Sequence, residues 1–446
     1  MLDFILQIFQ TPAIILGIVA MVGLILQKKS VGEVFSGTVK TSLGMLILSV
    51  GSAHLVAEIT PFAELFSKVF NLQGFAASSE AIVGTIQTNV PIVAATSALI
   101  MAFGFLVNLI LARITPLKNI FLTGHMMWIS SVAIAYCLYI LDYSKLTIII
   151  LGSIIQGVVL TMIPSVIQPM VRKLTKGDKF SIAHLTNAGT GIAANIGGAL
   201  GDKEKSADDI NLPKQLEFFS DTSISVSIVM LIFYLIVVIA AGPENVSEYS
   251  GGQNFIVFAI LKSLGFATGV LILLQGVRMF LGEIVPAFKG IADILVPGAR
   301  PALDVPVLFA YSPNSLLLGF VSSVIGMIVA MFVSSAIFKV TPLVSIIGGF
   351  FTGGVAGILG NAKGGKRGAL ISGFIYGFIL ILLSGFLYTV FDFSAVGAAG
   401  VGHDCIDIML LMLLLKNPII GLPIIAIIFV LLSIREKKYI KENLND

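Results

Sequence analysis

Apolar residues along this chain gather in long runs. Eleven runs of about 20 residues are long enough to cross a bilayer as helices: 12–27, 35–56, 89–111, 119–141, 146–168, 222–241, 254–275, 314–338, 342–360, 368–391 and 415–433. Four stretches between them, 57–88, 170–201, 276–312 and 392–414, are too polar or too rich in Gly and Pro to be plain spans. The spacing predicts that 57–88 and 276–312 are re-entrant hairpins entering from opposite faces. Residues 180–199, FSIAHLTNAGTGIAANIGGA, set His184, Asn187 and Asn195 in a Gly-broken apolar stretch. Polar groups at membrane depth are costly and face a protein interior or a water-filled path. Broken backbone there is tolerated only where it is buried in protein or lines a cavity. The segment therefore reads as part of a substrate path, and the chain as a transporter.

Composition agrees. Of 446 residues, 57% are hydrophobic and 11% charged, against about 25% charged in soluble domains, and the mean hydropathy is +1.02. The runs and their loops use the whole length, so no soluble catalytic or regulatory domain is expected. The leader MLDFILQIFQTP lacks the basic start of a signal peptide, so the first run reads as a retained helix. Cys137 and Cys405 form neither a disulfide framework nor a CxxC motif. A net charge of +3 is too small to suggest a nucleic-acid partner.

Lysine and arginine set the orientation. With the amino terminus outside, 21 of the 27 fall in cytoplasmic segments and four in outer ones, while Lys40 and Lys262 lie within spans. The positive-inside rule then places the carboxy terminus in the cytoplasm.

The two halves echo each other. Ser42-Leu43-Gly44 recurs as Ser263-Leu264-Gly265, 221 positions on; Glu80 and Asp304 are 224 apart, and His184 and His403 are 219 apart. Each unit would hold five spans, and an odd number turns the second copy upside down. Such inverted repeats build a site near the midplane from interrupted segments in corresponding positions. The fold expected is all-α and polytopic: repeat one over about 1–201, a charged cytoplasmic connector at 202–221, repeat two over about 222–414, and a final helix with a basic tail at 415–446.

Glu80 and Asp304, in the two hairpins, are carboxylates able to accept hydrogen bonds from the hydroxyls of a sugar or polyol, and Ser78 and Ser79 add donors and acceptors. Each carboxylate could instead pair with a nearby cation such as Arg300. His125 and His184 can bond a polar solute through a ring nitrogen, or brace a hairpin. His403, Asp404, Cys405 and Asp407 form the one metal-like cluster. A tetrahedral site would need strain on so short a stretch, so they read as lining the outer mouth of the second half, with no metal and no cofactor. Lys40 and Lys262 can snorkel to opposite interfaces, and Arg278 can pair with Glu283. Neither a phosphate loop nor a nucleophile elbow is present.

The motifs ARITPLKNIFLTGHMM, FSIAHLTN, LPKQLEFFSD, QGVRMF and LVPGARPALDVPVLFAYSPNS resemble the ascorbate-type permease, the IIC membrane component of a bacterial phosphotransferase system (PTS). The resemblance runs from about residue 15 to residue 330 and more weakly beyond. It implies a homodimer with eleven spans per protomer and a mobile core that moves against a dimer scaffold, elevator fashion. Separate IIB and IIA proteins supply the phosphoryl group, so the chain itself is a transport component and not an enzyme. The family's substrate histidines fall on His125 and His184, and its aspartate on Asp304. Its threonine–tyrosine pair falls on Ser79 and Glu80, and its two glutamines on Ile129 and Leu185. Two amides are thus replaced and a carboxylate added. Ascorbate is anionic at neutral pH and a carboxylate would repel it, so a neutral sugar or polyol suits the site better. The reading is a sugar permease of the bacterial inner membrane. The alternatives are a proton- or sodium-coupled transporter using Glu80 or Asp304, and an intramembrane enzyme or sensor using His403 to Asp407.

Overall fold

A computed structural model describes residues 11–69, 74–75, 79–209, 222–294, 296–338, 341–342, 344–391, 393 and 402–443. Ser78 and 210–221, most of the expected connector, lie outside the described residues. Eight helices among those described are long and apolar enough to cross a membrane, and the chain is a multi-pass, all-α membrane protein.

Helix α1 (Pro12–Leu26) opens on a proline, whose fixed φ and missing N–H suit a first helical turn. Helix α2 (Val31–Val69) has 39 residues, about 58 Å at 1.5 Å per residue. After strand β1 (Gly74–Phe75) come α3 (Ser79–Asn89), α4 (Pro91–Ile114), β2 (Asn119–Phe121), α5 (Gly124–Ile140), α6 (Lys145–Thr175), β3 (Ser181–Ile182) and α7 (Asn187–Leu200). The second half holds α8 (Thr222–Ser250), α9 (Phe255–Ile294), β4 (Arg300–Leu303), a 3₁₀ turn (Val305–Tyr311), α10 (Pro313–Ile337) and β5 (Thr341–Pro342). Helix α11 (Ile346–Val390) follows, then a short turn (His403–Cys405), α12 (Ile406–Leu415) and α13 (Pro418–Asn443).

Three expectations need adjusting. The runs 342–360 and 368–391 share α11, which breaks at Gly364 and Gly365; Gly365 has φ 61°, a backbone open to glycine at little cost. Residues 119–121 leave the expected fourth span to form β2. The segments 57–88 and 276–312 are helical for much of their length, because α2 continues to Val69 and α9 to Ile294.

Helices α2 and α9 cross over much of their length, and small residues make the crossing close. Gly44 meets Phe280, Gly51 meets Leu273, Gly276 meets Leu48 and Gly269 meets Leu55. One number rises as the other falls, so the helices run antiparallel. Each glycine receives the bulk of the opposing residue, as close membrane-helix packing demands. A Cβ at Gly44 would stand 2.6 Å from the Phe280 backbone nitrogen. Ion pairs close both ends of the crossing, Lys40 with Glu283 at 3.3 Å and Lys262 with Glu58 at 3.2 Å. The lysines expected to snorkel, and the Glu283 expected to meet Arg278, join these cross-helix pairs instead.

Two bodies result. Helices α1, α2, α8 and α9 pack on one another, while α4 to α7 pack with α10 to α13 in a second group. The chain passes from the first body to the second through β1 in the first half and β4 in the second. Strand β1 pairs in parallel with β5, Gly74 opposite Thr341. Strand β4 lies between β2 and β3, parallel to both, with Asn119 opposite Arg300 and Ser181 opposite Ala302. Each half lends its first strand to a strand of the other half.

Candidate functional site

All three strands of the β2–β4–β3 sheet end at one place. Four residues after β2 stands His125, two after β3 stands His184, and one after β4 stands Asp304. Backbone bonds extend the sheet to these ends, with Leu122 N–H donating to Ala302 O at 3.0 Å and Ala183 N–H to Leu303 O at 2.7 Å. A parallel sheet aligns its strand ends, and here it aligns three chemistry-bearing side chains.

Buried polar side chains brace the sheet. Asn108, on α4, donates to Asn119 O and accepts from Phe121 N–H, both at 3.0 Å. It thus replaces the missing neighbour along the outer edge of β2, where unpaired backbone groups would be costly. Asn187 donates to Ile182 O at 2.8 Å and does the same service for β3. Asn195 bonds Gly191 O at 2.9 Å. Both asparagines of the 180–199 motif therefore hold backbone.

Arg300 does not pair with Asp304. Its guanidinium reaches Asp178 at 2.7 Å and Glu436 at 3.2 Å, and Arg172 meets the same two acids from α6. This buried four-residue network pins β4 to α6 and α13. Burial pushes the Asp178 carboxyl up, but Arg300 and Arg172 outweigh it and hold it below the usual carboxylate range.

The strand ends open on a cavity of about 630 Å³. One wall is α2, through Met45, Leu48, Ser49, Ala53 and Val56; the polar wall is His125, His184, Asp304, His403 and Asp404. Asp304 Oδ1 accepts from Val305 N–H at 2.8 Å, and Oδ2 lies 3.5 Å from His125 Nε2. Asp404 is bracketed by two imidazoles, His184 Nε2 at 3.5 Å and His403 Nε2 at 3.2 Å. Its amide donates to Ser79 Oγ at 3.1 Å, tying α3 to the turn.

The cavity thus gathers His125, His184 and Asp304. Ser79 is buried behind it, and the Glu80 side chain lies outside the described residues. Ile129 and Leu185 are both 0% exposed, sealed in the apolar core. The histidine and aspartate assigned to an outer mouth line the same cavity, while their neighbours diverge. Cys405 faces an apolar pocket with Tyr136 and Phe393, and Asp407 accepts from Ala188 N–H at 2.7 Å. No group of three metal-binding side chains occurs among the described residues. The offset between His184 and His403 was the sequence signal for this pairing; their meeting on Asp404 comes from the His403–Cys405 turn.

The two carboxylates and three imidazoles among the described residues of this mostly apolar chamber can bind a small hydroxylated solute, because each supplies a directed donor or acceptor. A curated relative, the ascorbate-specific PTS system EIIC component of Mycoplasma pneumoniae, is 27% identical over 430 residues, covering 84% of this chain and 64% of that protein. The chain thus spans less than two thirds of the relative's length. The family described as PTS system sugar-specific permease component, EIIC-GAT, matches residues 7–404. With nearly the whole chain matched, the protein belongs to the EIIC-GAT family of PTS sugar-specific permease components.

Proposed function

We propose that this protein carries ascorbate or a related sugar or polyol inward across the bacterial inner membrane, and that separate IIB and IIA proteins phosphorylate the solute on arrival. The observation that carries this reading is the convergence of His125, His184 and Asp304 from three strand ends onto one chamber. The polar wall belongs to one helical body and the apolar wall, α2, to the other. An elevator-like exchange follows naturally: the polar body slides along α2, and the solute moves with it. The scaffold helices would pair with those of a second copy, with amino termini outside and carboxy termini in the cytoplasm. Solute biases the exchange only through unequal affinity for the two states, and phosphorylation traps the product inside. The chain supplies positioning; the phosphoryl group comes from the partner.

The test is uptake of labelled sugar in cells carrying the IIA and IIB partners. Asp304→Ala is expected to abolish uptake while membrane abundance stays near wild type. Full uptake by this variant would refute the assignment. Uptake lost on collapsing the ion gradients, with phosphoenolpyruvate-dependent phosphotransfer intact, would point to an ion-coupled transporter instead.

A further inference from the structure

Among the described residues two carboxylates face the cavity, Asp304 and Asp404, and the recurring motifs account for only Asp304. We infer that Asp404 is the second anchor for the solute, that His184 is its positioning residue, and that the chamber selects uncharged polyhydroxylated ligands over sugar acids. The inference rests on the cavity being the solute site, as proposed above.

The His184 ring is already spoken for. Thr186 N–H points at Nδ1 from 3.4 Å, and the Thr186 hydroxyl lies 2.8 Å from the same nitrogen. A backbone N–H can only donate, so Nδ1 is the acceptor and the ring proton sits on Nε2. Nε2 faces Asp404 Oδ1 at 3.5 Å. Both ring nitrogens are thus turned toward protein groups, and the ring acts on the solute through Asp404.

Asp404 has capacity to spare. An ionised carboxylate offers about four lone-pair sites; the Ser79 hydroxyl bonds to it, and the imidazoles of His184 and His403 lie 3.5 and 3.2 Å from one oxygen each. The Asp404 amide on Ser79 and Ser345 Oγ, 3.5 Å from His403 Nδ1, fix the turn and the second ring. Asp304 is held in a similar way by Val305 N–H and His125. A ligand spanning the chamber therefore meets a carboxylate from each of two separate loops.

Among the described residues an anionic ligand meets no fixed positive partner here, because those that line the cavity include neither Lys nor Arg. Arg300, four positions before Asp304, spends its guanidinium on Asp178 and Glu436. Hydroxyl groups suit the two acceptors, and a second carboxylate or an enolate does not.

Calorimetric titration of the purified full-length protein tests this, with pentitols, hexitols and ketoses as neutral probes and ascorbate and a hexuronate as anionic ones. At least one neutral probe is expected to bind about tenfold or more tightly than either anion. Asp404→Asn and Asp304→Asn should each weaken it by roughly tenfold to hundredfold, the range for a lost hydrogen bond to a charged group. His184→Ala should weaken binding similarly and His184→Gln, which keeps a donor toward Asp404, less. The double variant His184→Ala/Asp404→Asn should bind no worse than Asp404→Asn alone, the signature of two residues acting through one contact. Each variant must run as a single gel-filtration peak. Should Asp404→Asn lose it, Asp404→Glu, which displaces the charge, is the replacement and is also expected to weaken binding. Unchanged affinity in the Asp404 variant beside a weakened Asp304→Asn would overturn the second anchor and leave the sugar site standing. Tighter binding of ascorbate than of every neutral probe would overturn the selectivity. No binding by any probe, or no effect of Asp304→Asn, would overturn the inference together with the proposed function.

Discussion

Single residues divide into those that meet the cavity and those that hold its frame, and polarity alone does not separate them. His125, His184 and Asp304 stood out because ionisable groups are rare in so apolar a chain. Asn108 did not. Within the run 89–111 it looks like one more polar exception beside Thr96 and Ser97, and its purpose appears only with β2 beside it. Replacing it removes two hydrogen bonds to buried backbone, each worth about 1–3 kcal/mol when a partner is left unsatisfied. Asn108→Ala should therefore lower the melting temperature in detergent by several degrees. Uptake per folded molecule should fall as well, because β2 leads into the turn that sets His125. An unchanged melting curve would show that Asn108 braces nothing. His403 and Asp404 were visible as a cluster, but their address was not, since a short turn can face several ways.

Among the elements, apolar runs located the helices well and their ends poorly. Helices α2 and α9 overrun the expected spans because Glu58 and Glu283, which look like breaks in a hydrophobic run, are neutralised by lysines on the opposing helix. The two-, three- and four-residue strands were invisible. They are too short for any alternation to register, and their stability comes from partners more than a hundred positions away. The α2–α9 crossing rests on alternating small and large residues. Gly51→Leu places a branched side chain against the Leu273 backbone, and overpacking of this kind costs about 1–3 kcal/mol or more. The expected result is a lower melting temperature and reduced uptake, with Gly51→Ala milder than Gly51→Leu. Equal stability of all three proteins would mean that the helices are less closely packed than described.

For the molecule as a whole, the network of Arg172, Asp178, Arg300 and Glu436 joins α13 to the strand that leads into Asp304. Of these residues the sequence singled out only Arg300, as a nearby cation for a hairpin carboxylate, since the network links segments up to 264 positions apart. Breaking one member of a buried ion pair costs about 3–5 kcal/mol, so Asp178→Asn should destabilise markedly at neutral pH. The pH dependence has a definite sign. Asp178 titrates lower folded than unfolded, so its contribution is complete above about pH 4, the ordinary carboxylate value. It is lost as the pH falls through the depressed folded value. Melting temperatures of wild type and Asp178→Asn should therefore differ most above that pH and converge in stronger acid. A gap that persists unchanged into acid would assign the effect to shape rather than charge.

Strand β4 is bonded along both edges, and this limits how the chamber can work. A pull on any one of the three strands reaches the other two, so the grip on a captured sugar cannot be loosened finger by finger. In a permease working as proposed, the hand stays closed in shape throughout the journey, and release is governed by which side of the membrane it faces and by what the phosphoryl group then does to its cargo.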